Sequence, residues 1–514
     1  MRYGVLDLGS TSFQLLVADA FADGRLTPIM REREILNLGI VLVDHGKIPE
    51  RSLVKACDTV RAFRDLAMRA GADELIPIAT SALREARNRP EIAERLSEAA
   101  GVAVRFPDGN EEARLTITGV RAGVALASGP TLTLDLGGGS LEVALEEAAG
   151  VRWTQSLLLG AGRLTAEIVR HDPPTKSEAR ALRRVTDDAL AVIVARLGDD
   201  PPAQVVASGG VAGALARLIA SERWDPLPPS LNQMSLPVEA LEDVSDTLLS
   251  LDLEGRLQLP GIDERRAHLL PAGSVVLLAA ARMVNADVLL VSEWGLREGA
   301  VLEAVGASGN RRPLPAEIRD ASIARLETIW RTETEHAGLV ADLAGRLFDG
   351  TQPVHGLDAG DRDLLVYAAR LHDIGVHISP DRHHKHGAYL VEHADLRGFP
   401  PDEVALLASV VRFQRGGAPK SAYPPFRGLE ADERERCAIL VGVLRVAHAL
   451  GRGQIDERRD IAFEMRSKRI EIGVGGADAL RGLIAEAQER SELLARSIGR
   501  EIEVVAGDAE AASA

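Results

Sequence analysis

The sequence predicts an α/β protein built of two similar lobes, followed by a mostly helical domain. Three observations carry that expectation. The stretch L-T-L-D-L-G-G-G-S-L-E from Leu132 to Glu142 has a counterpart in V-L-D-L-G-S-T-S from Val5 to Ser12. The two share Leu, Asp, Leu, Gly and the final Ser in register, at one offset of 128 positions (Asp7 to Asp135, Ser12 to Ser140). Short apolar runs then alternate with amphipathic stretches as far as Gly306, the pattern of a mostly parallel sheet in each lobe. Beyond the Gly-, Ser-, Asn- and Pro-containing stretch Gly306–Pro315, the segments from Ile318 to Leu450 carry helical periodicity. The expected domains are residues 1–117, 118–306 and 307–514.

Each repeated unit reads as a buried strand running into a glycine-rich turn. Gly137, Gly138 and Gly139, and Gly9 in the first unit, let the backbone approach a ligand and turn its N–H groups toward it. Such a loop suits an anion, and phosphate is the commonest. Ser10, Thr11, Ser12 and Ser140 add hydroxyl donors. Asp135 is placed to hold a cation against that phosphate, Glu142 lies two residues past Ser140, and Asp7 is the equivalent carboxylate of the first loop.

In chain order, the first strand and loop lead into a second strand over Phe13–Ala20, with a turn at Asp23-Gly24. Ser52–Ala70 has helical spacing with Ser52 as candidate N-cap. Leu75–Ala79 is a short strand, and Thr80 opens a helix carrying Arg84 and Arg87. On helices, such charges are ordinarily solvated. Val102–Phe106 reads as a strand. Asp108-Gly109-Asn110 turns into a helix through Val120 that opens on Glu111, Glu112 and Arg114. Carboxylates in a first helical turn are ordinary dipole partners; their place just before the second glycine loop singles them out. The second lobe begins near Thr118. Ser156–Thr165 is a strand, a glycine turn and a helix start bearing Arg163, and Asp172-Pro173-Pro174 breaks the chain. Ser177–Leu197 is a long helix. Gln204–Ala207 is a strand ending in Ser208-Gly209-Gly210, a third glycine turn that either binds a ligand or caps the strand. Ala272–Ala286 is helical and Val288–Ser292 a strand. The tail alternates strand, helix and strand (Asp460–Val474, Asp478–Ser497, Glu501–Val505), and Ala506–Ala514 is expected to be disordered.

The 514 residues are 46% hydrophobic and 26% charged, enough for several packed domains. Only Cys57 and Cys437 occur, distant in sequence, which excludes a disulfide framework and points to a reducing compartment. No secretory signal is expected, and the most apolar stretch, Ser274–Val291, is broken by Arg282, Asn285 and Asp287. A cytoplasmic protein with no membrane partner is therefore expected. The net charge of −16 argues against nucleic acid. A polyphosphate ligand would need cations gathered locally, and with lysine confined to six positions arginine must supply them.

These residues together resemble the Ppx/GppA family of exopolyphosphatases and guanosine pentaphosphate phosphohydrolases. The resemblance runs through V-L-D-L-G-S-T-S-F at Val5, A-T-S-A-L-R-E-A-R-N at Ala79, G-N-E-E-A-R at Gly109 and L-D-L-G-G-G-S-L-E at Leu134. It continues through L-G-A-G-R-L-T at Leu159, A-S-G-G at Ala207 and S-E-W-G-L-R-E-G at Ser292. The family implies two ribonuclease-H-like lobes of the actin-like, sugar-kinase-like ATPase fold around a phosphate cleft. It implies Glu112 as catalytic base and Asp135 and Glu142 as magnesium carboxylates. The chain departs from the family at Thr11 (usually Asn), Gln14 (commonly His), Glu293 (commonly Asp) and Trp294.

The expected activity is Mg²⁺-dependent release of terminal phosphate from inorganic polyphosphate, with Arg84, Arg114 and Arg163 along the phosphate chain. Three alternatives remain: guanosine pentaphosphate as substrate, a non-catalytic polyphosphate or alarmone sensor, and, less favoured, a kinase of the same fold. A homodimer is expected. The helical domain resembles the HD-type domain of long family members through His336, His372-Asp373, His383, His384 and His386, although H-H-K-H also reads as an exposed loop. Its late helix carries His448 and Gly451 where Asp is expected, and Gln414 stands where His is frequent. Loss of HD hydrolase chemistry is therefore expected, because a missing aspartate weakens a hard-cation site. His448 remains a competent transition-metal ligand.

Overall fold

The computed structural model describes residues 1–198, 201–307, 312–452, 461–475 and 477–506. The chain divides into two compact units, Met1–Arg223 with Leu231–Ile318, and Trp224–Ser230 with Arg319–Ala514. Part of the expected boundary stretch, 308–311, and the expected disordered tail from 507 onward lie outside the described residues.

The first unit contains two sheets. Strands β1 (Arg2–Leu8), β2 (Ser12–Ala20), β3 (Leu26–Ile35) and β4 (Glu74–Ala79) lie in the order β3-β2-β1-β4. Strands β5 (Thr131–Leu136), β6 (Leu141–Glu147), β7 (Gly150–Leu157), β8 (Gln204–Ser208), β9 (Ser235–Pro237) and β10 (Val288–Ser292) lie in the order β7-β6-β5-β8-β10-β9. The first four strands of each sheet repeat one plan. Two hairpins run antiparallel and the fourth strand pairs parallel with the first. The duplication seen in the sequence is therefore a duplication of topology.

Both sheets are mixed rather than mostly parallel. The reason lies in the glycine loops. Each connects consecutive strands through a few residues, and so short a link permits only antiparallel pairing. Within these two sheets, parallel pairing is confined to β1 with β4, β5 with β8, and β8 with β10.

Helix α1 (Glu50–Arg69) covers the first sheet, placing Leu53, Val60, Phe63 and Ala67 against Leu6, Leu8 and Leu15. It starts before Ser52, with Pro49 as N-cap, so Ser52 sits inside the first turn and caps nothing. The strand expected over Val102–Phe106 reduces to one bridge from Arg105 to Ile78. Val102 is exposed and Pro107 offers no N–H, so a ladder cannot extend either way. Helix α2 (Gly109–Gly123) starts at Asp108, whose carboxylate accepts the Glu111 N–H. The lobe boundary placed at Thr118 falls inside this helix.

Further helices of the unit include α3 (Ala161–Ile168), α4 (Lys176–Leu197), α5 (Gly209–Ala220), α6 (Leu270–Met283) and α7 (Leu296–Ala304). No described helix is long and apolar enough to cross a membrane. Helices α2 and α7 cross at backbone contact. A Cβ on Gly119 would lie 2.0 Å from the Gly295 carbonyl oxygen, and one on Gly299 would lie 1.8 Å from that of Leu115. The crossing pins α2, and with it Glu112.

The second unit is mainly helical: α8 (Thr334–His355), α9 (Ala359–Arg370), α10 (His383–Glu392), α11 (Pro401–Phe413) and α12 (Ala431–Gly451). H-H-K-H is not an exposed loop. It opens α10, with His383 buried and His384 half-buried. The tail strand expected over Asp460–Val474 is a hairpin of β11 (Ile461–Met465) and β12 (Arg469–Val474), joined in parallel by β13 (Glu501–Ala506). The helix between them is two, α13 (Ala477–Arg490) and α14 (Glu492–Ile498). Both cysteines are free and buried.

Gly299→Ala should destabilise the first unit by about 1–3 kcal/mol, the usual cost of overpacking, because backbone atoms rather than a flexible side chain would have to move. Thermal unfolding checks this, and an unchanged Tm would show that the crossing has slack.

Candidate active site

The two glycine loops are built alike. In the first, the Gly9 N–H donates to the Ser12 carbonyl at 3.1 Å; in the second, the Gly137 N–H donates to that of Ser140 at 3.0 Å. They face one another closely, since a Cβ on Gly138 would lie 2.1 Å from Thr11 Oγ1. Between them is a cavity of about 120 Å³, roughly ten times the ~10–15 Å³ that one water needs. Asp7, Glu112, Asp135 and Glu142 all line it.

The strand registers bring these carboxylates together. Asp135 pairs with Glu142 across β5 and β6. Asp7 pairs with Gln14 across β1 and β2, so Gln14 is the positional counterpart of Glu142. Gln14 Nε2 donates to Asp7 Oδ2 at 3.3 Å. The Thr116 hydroxyl donates to Asp135 at 3.0 Å and that of Ser156 to Glu142 at 2.9 Å. Glu112 stands in the first turn of α2, 6% exposed, with Arg84 Nη1 at 2.8 Å from its carboxylate.

Four carboxylates in one small space cannot all ionise cheaply. Burial pushes Glu112 up to about 7 despite Arg84, and Asp7 up to about 6 despite Arg297. Burial also raises Asp135 against its hydroxyl partners, and Glu142 well above the usual range, with the neighbouring Glu112 and Asp135 adding to the effect. An all-oxygen donor set of this kind fits a hard divalent cation, with Asp135 and Glu142 nearest in register and Asp7 opposite. The loop N–H groups fit a phosphate beside it.

Of the residues expected in the phosphate site, Gly9, Ser10, Thr11, Ser12, Gly137, Gly138, Gly139, Ser140, Gly209 and Gly210 line the cavity. Three arginines do not. Arg84 is engaged by Glu112 and the Pro107 carbonyl. Arg163 donates to the Gly139 carbonyl at 3.1 Å and pairs with Glu85. Arg114 is exposed on α2. Arg84 and Arg163 therefore hold Glu112 and a loop in place.

The cation that does reach the cavity is Arg266, which sequence reasoning missed along with Thr80 and Ser81. Gly210 makes room for it, since a Cβ there would lie 2.5 Å from Arg266 Nε. Arg266 is anchored by Asp263 within the charge run D-E-R-R. Trp294, an oddity in its motif, is buried against Gly123, and Glu293 accepts the Leu231 N–H at 3.1 Å. Both serve packing.

The chain was compared with known proteins. Exopolyphosphatase 1 of Mycobacterium leprae is 33% identical over 322 residues, 62% of this chain and 94% of that protein. The guanosine-5'-triphosphate,3'-diphosphate pyrophosphatase of Aeromonas salmonicida is 26% identical over 418 residues, 80% of each chain. A solved exopolyphosphatase from Cytophaga hutchinsonii is similar in fold, with TM-score 0.55 and 24% identity over 60% of this chain and 98% of its own. The Aquifex aeolicus Ppx/GppA family member superposes with TM-score 0.52 and 27% identity over 59% of this chain and 97% of its own. The family model for the Ppx/GppA phosphatase family matches residues 16–307, and that for its domain III matches residues 318–478. With more than half its length matched and the duplicated phosphate loops in place, the chain belongs to the Ppx/GppA phosphatase family.

Proposed function

We propose that the protein is an exopolyphosphatase that hydrolyses the terminal phosphoanhydride of inorganic polyphosphate with Mg²⁺. One observation carries the reading: Glu112 and the Asp135–Glu142 pair line the same cavity as two facing phosphate loops. The relatives named as exopolyphosphatases support the substrate.

The loop N–H groups and the hydroxyls of Ser10, Ser12 and Ser140 hold the terminal phosphate between the lobes. Asp135 and Glu142, with Asp7 opposite, would hold Mg²⁺, which supplies charge neutralisation on the phosphoryl oxygens. Glu112 orients the attacking water and takes its proton. Arg84 keeps the Glu112 carboxylate aimed, and Arg266 meets the phosphate chain at the Gly210 side. Glu112 as a base for water is what separates this reading from a kinase. Guanosine pentaphosphate is the second reading, favoured by the Aeromonas relative's match over 80% of both chains. Phosphate release measured side by side on long polyphosphate, short polyphosphate and guanosine pentaphosphate decides between them. Binding without release on any of the three would make the protein a sensor.

Glu112→Gln should lower turnover by about 10²–10⁴-fold while leaving substrate affinity nearly intact, the signature of a lost general base. Activity within a few-fold of the unsubstituted protein would move the role to another group.

Raised carboxyl pKa values also set a pH dependence. In the cation-free fold, Asp7 (about 6) and Glu112 (about 7) bind protons that the unfolded chain has already released. Their contribution to stability is therefore full below about pH 4 and is lost as pH rises through about 7. Thermal melts of the metal-free chain should show this fall, and Glu112→Gln should flatten it. Added Mg²⁺ should restore more stability at about pH 8 than at about pH 5, because it favours the ionised carboxylates. A fall of equal size in the Gln variant would remove Glu112 as its source.

Polyphosphate affinity should decline with added salt despite the net charge of −16, because cations at the cavity release counterions from the chain. Arg266→Gln should reduce the slope of log affinity against log salt by about one, the loss of a single phosphate contact. An unchanged slope would place the phosphate chain elsewhere.

A further inference from the structure

A second cluster of ligand-type side chains lies in the helical unit, apart from the phosphate loops. His336 comes from α8, His372 and Asp373 from the turn after α9, and His448 from α12. One ligand atom from each lies within 4.8 Å of every other. His372 and His448 are buried and the other two half-buried. We propose that these four residues bind one first-row transition-metal dication, with Zn²⁺ as reference ion, and that the ion ties three helices of this unit together.

The arrangement around each ligand supports the assignment. His372 is fully buried, and its Nδ1 lies 2.6 Å from the Ala369 carbonyl. That contact leaves Nε2 facing the cluster, where it makes no hydrogen bond of good geometry and lies 3.3 Å from Asp373 Oδ2. Metal-binding imidazoles are oriented this way, one nitrogen on a carbonyl and the other on the ion. His336 Nε2 lies 3.8 Å from the same carboxylate oxygen. The other oxygen, Asp373 Oδ1, lies 3.2 Å from His383 Nε2, whose Nδ1 is in turn 3.0 Å from the Pro380 carbonyl. His383 is thus a positioning residue that turns Oδ2 toward the three imidazoles. Gln414 donates to the His372 carbonyl and fixes the turn that carries both ligands.

Three imidazoles and one carboxylate make a four-donor set suited to tetrahedral Zn²⁺ or a neighbouring first-row ion. A single carboxylate is too little oxygen for Mg²⁺ or Ca²⁺, which prefer carboxylates, carbonyls and water. His448 decides the class of ion. An aspartate there would have made a harder, more anionic site.

The test uses the full chain, stripped with chelator and titrated with Zn²⁺ alone by calorimetry, with metal content measured after desalting. One equivalent of Zn²⁺ should be retained, equimolar Mg²⁺ should not displace it, and the Tm should rise on loading. His336→Ala removes a half-exposed ligand with little cost to packing, and it should weaken Zn²⁺ binding by at least about tenfold, as should His448→Ala. His448→Asp should keep an ion but shift preference from Zn²⁺ toward Mn²⁺. Glu142→Gln, which removes a cation carboxylate of the phosphate cavity, should bind Zn²⁺ as the unsubstituted chain does, which separates the two sites. Failure to retain Zn²⁺, or retention unchanged in both His336→Ala and His448→Ala, would overturn the proposal.

Discussion

Four carboxyl groups share one buried cavity in the first unit, and they strongly constrain the structure around them. Asp7, Glu112, Asp135 and Glu142 each pay desolvation, and their neighbours raise one another. Such an arrangement is poor for stability by itself. It persists because everything around it is over-determined: two hairpins fix three of the groups in register, and a glycine-mediated helix crossing fixes the fourth. The carboxylates are poised for a cation and for negative charge brought in with it, which is the condition that phosphoryl transfer imposes.

The duplication explains how one cavity acquires two facing glycine loops, and its imperfections explain how the loops differ. Both lobes place an aspartate at the end of the first strand, opposite a residue on the second. In the second lobe that residue is Glu142, giving a carboxylate pair. In the first it is Gln14, which donates to Asp7 instead. The first loop therefore carries one fewer carboxylate than the second, so a bound cation would be favoured on the side of the second lobe. A strictly symmetric cleft would have had no such preference.

Much of this was legible because backbone-level constraints leave strong marks. Glycine turns, the strand before each and the 128-residue offset all survive in sequence because few alternatives satisfy the same geometry. The glycine turns pointed to Asp135 and Glu142, and the family resemblance to Glu112; all three line one cavity. Sequence reasoning failed where side-chain direction decides. Arg84 and Arg163 sit on the expected elements but turn to Glu112 and Glu85, while Arg266 reaches the cavity from a charge run with no periodicity to mark it. The sheet type was misread for a related reason. Alternating strands and helices suggested parallel pairing, yet the glycine loops themselves were too short for it. Likewise H-H-K-H looks solvated as a string, and only the placement of α10 buries His383.

The two ligand clusters show how donor chemistry separates within one chain. The first unit collects oxygen donors and buries them beside backbone N–H groups, an environment for a hard ion and a phosphate together. The second collects imidazoles around a single carboxylate, with Arg415 as a charged neighbour of Asp373 and His448. A hard ion has too few oxygens there. His448 on α12 brings a nitrogen donor and no negative charge, and only a borderline metal gains from that choice of side chain. The consequence for the fold is mechanical: α8, the turn after α9, and α12 contribute one face each to a point where no apolar side chain could satisfy the buried His372 nitrogen. A bound ion would complete that point and add coordination to the apolar packing that already holds the helical unit.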